Sequence, residues 1–125
     1  MLWFSWIFAV ALALGILWIG VRYITNPRAM APSFGLPLHD TGDSTTAWLR
    51  LKGVRDVSLG VLVLVLLGVH DIRALGITLL VLAIVPIGDM STILAAKGRT
   101  QTALAVHGVT AIVMICAALP LLLGR

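Results

Sequence analysis

Asp56, Asp89 and His107 are ionisable residues embedded in long apolar runs, and Arg55 stands beside the first of them. Ionisable side chains inside a membrane span are rare, face a bundle interior or a water-filled cavity, and mark functional positions by default. The chemistry these residue types support is acid–base. Low dielectric disfavours the charged form of a carboxyl or an imidazole, and a neighbouring arginine restores it for the carboxylate. Two aspartates sharing an arginine and a histidine can therefore hold one proton among them, as a general acid and base must. Asp56, Asp89, His107 and Arg55 are the catalytic candidates. A plainer reading makes Lys52 and Asp56 an i, i+4 helix pair, lets Arg55 snorkel, and gives His107 an interhelical hydrogen bond to Asp89 or Asp56. No His and carboxylate stand at ligand spacing within one apolar run, and His39-Asp40 with Asp43 is a weak metal signal. Neither a metal nor another cofactor is expected.

The apolar runs that must position these groups are four. Span one covers about residues 3–24 and ends at Arg22, Tyr23 and the breaker pair Asn26-Pro27. Span two covers about 48–69, span three 72–95 and span four 102–123, with His70-Asp71 as one tight turn and Lys97, Gly98 and Arg99 as the other. Each run has about the 20 residues a helix needs to cross a bilayer, whereas barrel strands alternate over about 10 residues. Short second and third connections make neighbouring helices antiparallel. The expected fold is all-α, an integral membrane antiparallel four-helix bundle, in a single membrane domain over residues 1–125.

The connection 25–47 contains three prolines and two glycines and is too irregular for a span. Its Ser33-Phe34-Gly35-Leu36-Pro37 segment is apolar enough to fold over the site as a lid, with a disordered tether as the alternative. Ala9-Val10-Ala11 and Ala11-Leu12-Ala13 look like signal-peptide cleavage sites. The N-terminus lacks Lys and Arg, however, and apolar residues continue to Ile24, so span one is expected to be retained.

Of the 125 residues, 60% are hydrophobic and 11% charged, and the mean hydropathy is +1.08, far from soluble domains, which are about a quarter charged. The net charge of +4 is dispersed among apolar runs and forms no basic stripe, so no nucleic-acid partner is expected. The expected partners are membrane lipids, a lipophilic small molecule and, for helices of this size, a second copy of the chain. Basic residues instead report orientation. Seven (Arg22, Arg28, Arg50, Lys52, Arg55, Lys97 and Arg99) lie on the side of the first and third connections, against Arg73 and Arg125 on the other. The expected location is the cell membrane, multi-pass, with the long loop cytoplasmic and both termini outside. Trp3 and Trp6 are expected to anchor the outer interface, and Tyr23 and Trp48 the inner one. Cys116 has no partner for an intramolecular disulfide and is expected to be an inert buried thiol.

Depth brings the polar groups to one level. Asp56 lies about eight residues into span two, Asp89 about six from the end of span three and His107 about five into span four, or about 8–12 Å below the cytoplasmic surface. Gly53, Asp56 and Gly60 share one helix face, as do Ala103, His107 and Ala111, and small residues beside a polar one let neighbouring backbones approach. Pro86 cannot donate to the carbonyl of Leu82, which predicts a kink just before Gly88-Asp89. Arg22, Tyr23 and Trp18 of span one and Phe34 of the loop are the substrate-binding candidates beside this cluster.

Lys52-Gly53-Val54-Arg55-Asp56 opens span two, Gly88-Asp89 lies in span three and His107-Gly108 in span four. On these motifs nearly the whole chain resembles a family of small four-span membrane proteins of bacteria and fungi, domain of unknown function 4267. The resemblance implies a four-span fold and a membrane location and brings no activity. A more distant similarity to DoxX-like four-helix membrane proteins adds none. As a site alone, aspartates about an arginine are similar to those of limonene-type epoxide hydrolases, whose soluble fold is unrelated. The leading functional expectation is an acid–base pocket acting on a lipophilic molecule, as an isomerase, cyclase or epoxide-opening enzyme. One alternative is a non-catalytic structural or accessory subunit, packed solid around Asp89 and His107. The third is a small proton-coupled transporter, against which the apolar outer half, 62–67 and 114–123, counts.

Overall fold

The computed structural model describes residues 2–40 and 42–124, and among them every regular element is helical. Arg125, counted above in the charge balance, lies outside the described residues. The first helix, α1 (Leu2–Thr25), stops at Asn26 because a residue before proline is pushed away from helical backbone. Pro27 then opens the short α2 (Pro27–Met30), where its missing N–H costs nothing. A 3-10 turn, Ala31–Phe34, follows and closes at Gly35, whose φ of 99° suits only glycine. The long connection is thus partly helical. The next helix, α3 (Asp43–Gly68), starts well before Trp48, since no helix breaker follows Gly42 and the Asp43 charge meets the positive end of the helix. Arg28 ties α2 to this first turn, 3.8 Å from Asp43 and donating to Thr46 Oγ1 at 3.3 Å.

Past the His70 turn, Asp71 caps α4 (Ile72–Leu82) by accepting the Ala74 N–H at 2.9 Å. The helix breaks at Ala83 and resumes as α5 (Ile84–Ala95), where Pro86 withholds a donor from the Leu82 carbonyl. After the turn at Lys97, α6 (Thr100–Thr102) runs into a π-helical stretch, Ala103–Gly108, and then α7 (Val109–Leu123). No residue pattern foreshadows the π stretch. Such stretches concentrate at functional sites, and this one holds His107.

Leu2–Thr25, Ile72–Ala95 and Thr100–Leu123 have 24 residues each and are long and apolar enough to cross a membrane. The chain is therefore a membrane protein by the length and composition of these helices. Helix α3 is as long, but Lys52, Arg55 and Asp56 interrupt its apolar face. It packs along α1 at a backbone contact. A Cβ on Gly20 would stand 2.8 Å from the Gly53 carbonyl oxygen, and one on Gly53 would stand 2.6 Å from that of Gly20, so only glycine fits either place.

Helix α4 packs on α7, and α7 also touches α1. The apolar core, with Ala9, Val63, Leu79, Met114 and Leu121, sits towards the His70-Asp71 end and leaves the opposite end to the polar groups. Two expectations are corrected here. Tyr23 is 2% exposed and belongs to the interior, so it is no interfacial anchor. Cys116 is exposed, because the buried stripe of α7 runs through Met114, Ala117 and Ala118 and turns its thiol outward. Trp3 and Trp48 are exposed, whereas Trp6 packs on the His70 ring with centroids 5.3 Å apart.

Candidate functional site

The close approach of Gly20 and Gly53 sets one turn of α1 beside one turn of α3, and the residues one turn further on are Tyr23 and Asp56. Asp56 is 6% exposed and accepts a hydrogen bond from Lys52 Nζ at 2.5 Å. The same ammonium lies 4.5 Å from the centroid of the Tyr23 ring and 5.3 Å from that of Phe34, so two aromatic faces and one carboxylate share its charge. Tyr23 in turn donates its hydroxyl to the Met30 carbonyl at 3.3 Å, which fastens α2 over the end of α1.

Facing this pair, Asp89 lies in α5 beyond the break at Ala83, and its Oδ2 is 3.5 Å from Nδ1 of His107. The other ring nitrogen, Nε2, donates to the Phe34 carbonyl at 3.4 Å, and the two rings meet edge to face at 5.0 Å. A carbonyl has no hydrogen to give, so Nε2 carries one. A carboxyl facing Nδ1 then requires one more proton, either on Nδ1 with Asp89 ionised or on Asp89 with a neutral imidazole. One proton with two homes is what a general acid–base pair needs.

Phe34 holds this place because its segment is pinned from the other side. The Arg99 N–H donates to the Gly35 carbonyl at 2.8 Å, and a Cβ on Gly98 would come within 2.5 Å of the same oxygen.

Between the helices lies a cavity of about 620 Å³. Lys52, Asp56, Asp89 and His107 line one end of it, together with Tyr23 and Phe34, and the remaining walls are chiefly apolar. Of the expected catalytic residues, Asp56, Asp89 and His107 come together, while Arg55 is exposed and outside the wall. Of the expected substrate-binding residues, Tyr23, Trp18 and Phe34 line the cavity and Arg22 does not. The reason is angular. Consecutive helix residues point about 100° apart, so with Asp56 and Tyr23 inward, Arg55 and Arg22 must turn away. Lys52 supplies the cation instead, and its i, i+4 spacing from Asp56 is the signal in the sequence that marked it. Among the described residues no three His, Cys, Asp or Glu side chains are grouped to hold a metal ion.

The sequence model of a family described as a domain of unknown function (DUF4267) matches residues 13–122. No curated protein and no solved structure matches the chain.

Proposed function

The chain belongs to the DUF4267 family, and from the composition of its cavity we propose a membrane-embedded acid–base enzyme that acts on a lipophilic small molecule, as an isomerase, cyclase or epoxide-opening enzyme. The observation that carries this reading is the gathering of Lys52, Asp56, Asp89 and His107 at one end of an otherwise apolar cavity of about 620 Å³. Ligand sites have this make-up: mostly apolar walls with a few convergent polar groups. Asp89 and His107 pass a proton to or from the reacting atom. Lys52, held by Asp56 and the two rings, stabilises negative charge that develops on a substrate oxygen. The apolar walls exclude water, which strengthens both effects.

In this reading α3 is a fourth span, and the helices form an antiparallel four-helix bundle with the long loop cytoplasmic and both termini outside. The charged residues of α3 then lie in the inner leaflet, where the positive-inside bias puts them. A cavity beside Asp89 and His107 counts against a purely structural role, which calls for a solidly packed site. Among the described residues, the apolar walls towards the far face, with Val63, Leu79 and Met114, offer no ionisable group to relay a proton, which counts against a proton-coupled transporter.

Incubating the wild type and Asp89→Asn with a bacterial lipid extract, followed by mass spectrometry of the whole extract, tests the proposal. The wild type is expected to convert at least one lipophilic species that the variant leaves untouched. Identical extracts from both would sink the enzymatic reading.

A further inference from the structure

We infer that the cavity takes a long-chain amphiphile with an uncharged polar head, such as an alcohol, aldehyde or epoxide, which enters sideways from the bilayer between α1 and the face made by α5 and the π stretch. This rests on the reading of the site as one for lipophilic molecules.

The shape argues for a chain. Along α1 the cavity wall runs from Phe8 to Tyr23, about 22 Å at about 1.5 Å per residue. A volume of about 620 Å³ drawn out over that length is a slot. Among the described residues its ionisable groups lie only at the Tyr23 end, so a ligand that fills it has one polar terminus and a hydrocarbon body.

The charges argue for an uncharged terminus. Lys52 is already neutralised by Asp56 at 2.5 Å, and Asp89 faces His107 at 3.5 Å. With one proton shared between Asp89 and His107, the four groups sum to zero whichever of the two holds it. Among the described residues the wall holds no spare cation, and the arginines next in sequence to Tyr23 and Asp56 are exposed outside it. An anionic head beside Asp89 would be buried without a counter-charge, which is strongly unfavourable. A cationic head fares little better, since the Tyr23 and Phe34 faces that would receive it already hold Lys52. A hydroxyl, carbonyl or ether oxygen needs only hydrogen bonds, and Lys52 and His107 supply donors.

The entrance follows from which wall residues are also exposed. Gly15, Trp18, Val85 and Val106 line the cavity and yet lie open on the outside, Trp18 at 62%. Gly15 and Trp18 stand on α1, Val85 on α5 and Val106 on the π stretch, which α5 packs against, so the opening lies between α1 and the face made by α5 and the π stretch. Gly15 sits near the middle of α1, at the depth of the hydrocarbon rather than of either surface.

The test uses the whole protein in phosphatidylcholine nanodiscs with four matched probes: hexadecanol, hexadecanal, palmitate and hexadecylamine. Native mass spectrometry is expected to find hexadecanol and hexadecanal bound at least about tenfold more tightly than the two charged probes. Asp89→Asn, which removes one negative charge, is expected to raise palmitate binding relative to hexadecanol. A Cβ on Gly15 meets no atom within 4 Å, so the backbone there accepts a side chain, and Gly15→Trp, which sets a bulky ring at the opening, is expected to slow association of hexadecanol. Palmitate or hexadecylamine binding as tightly as hexadecanol overturns the uncharged head and leaves the acid–base reading standing. Unchanged association in Gly15→Trp overturns the sideways entrance. Binding of none of the four overturns this inference together with the lipophilic-substrate reading beneath it.

Discussion

His107 Nε2 donates to the backbone carbonyl of Phe34 at 3.4 Å, across 73 residues of sequence. The loop that covers the cavity thereby sets which ring nitrogen bears hydrogen, and so what the nitrogen facing Asp89 can do. Cover and acid–base pair form one unit, and a change in either is felt by the other.

Nitrogen NMR of selectively labelled protein tests that coupling directly. The His107 resonances are expected to report hydrogen on Nε2 at neutral pH, with Nδ1 either bare or sharing a proton with Asp89. A bare Nε2 with hydrogen fixed on Nδ1 would refute the assignment.

Removing the ammonium from Asp56 leaves a buried carboxylate with no cation beside it. Lys52→Met is expected to cost about 2 kcal/mol of stability, below the roughly 3–5 kcal/mol of a fully buried pair because the Lys52 side chain is 31% exposed. Lys52→Met combined with Asp56→Leu is expected to recover most of that loss in a thermal unfolding series in detergent. Losses that simply add would mean the two groups do not interact.

The contact between Gly20 and Gly53 leaves no room for a side chain, because backbone faces backbone. Gly53→Leu is expected to lower stability by about 1–3 kcal/mol, as overpacking does, with the larger value favoured because backbone cannot swing aside. Gly15→Leu, where a Cβ meets open space, is the control and is expected to melt as the wild type does.

Orientation is open to chemical labelling. With Cys116→Ala as background, a cysteine introduced by Ser44→Cys in the exposed start of α3 is expected to react with a membrane-impermeant maleimide only after the inner face is opened. Labelling in intact cells would invert the proposed topology.

Much of this protein is legible in one dimension. Apolar length defined the helices from Leu2, Ile72 and Thr100, because crossing hydrocarbon demands about 20 apolar residues whatever the neighbours are. Pro86 foretold a break in this apolar run, which falls at Ala83 rather than just before Gly88-Asp89, and glycines at the spacing of Gly53 and Gly60 foretold the buried face that carries Asp56. Depth along each helix was enough to bring Asp56, Asp89 and His107 to one cavity, since rise per residue is constant. What depth does not contain is azimuth. Whether Arg55 or Lys52 joins Asp56, and whether Tyr23 or Arg22 turns inward, depends on which face of α1 meets which face of α3, and the Gly20 contact decided it. The π stretch that carries His107, and the carbonyl of Phe34 that orients its ring, depend on the docking of the loop over the bundle. Those choices are made by packing between distant segments, so they belong to the tertiary structure alone.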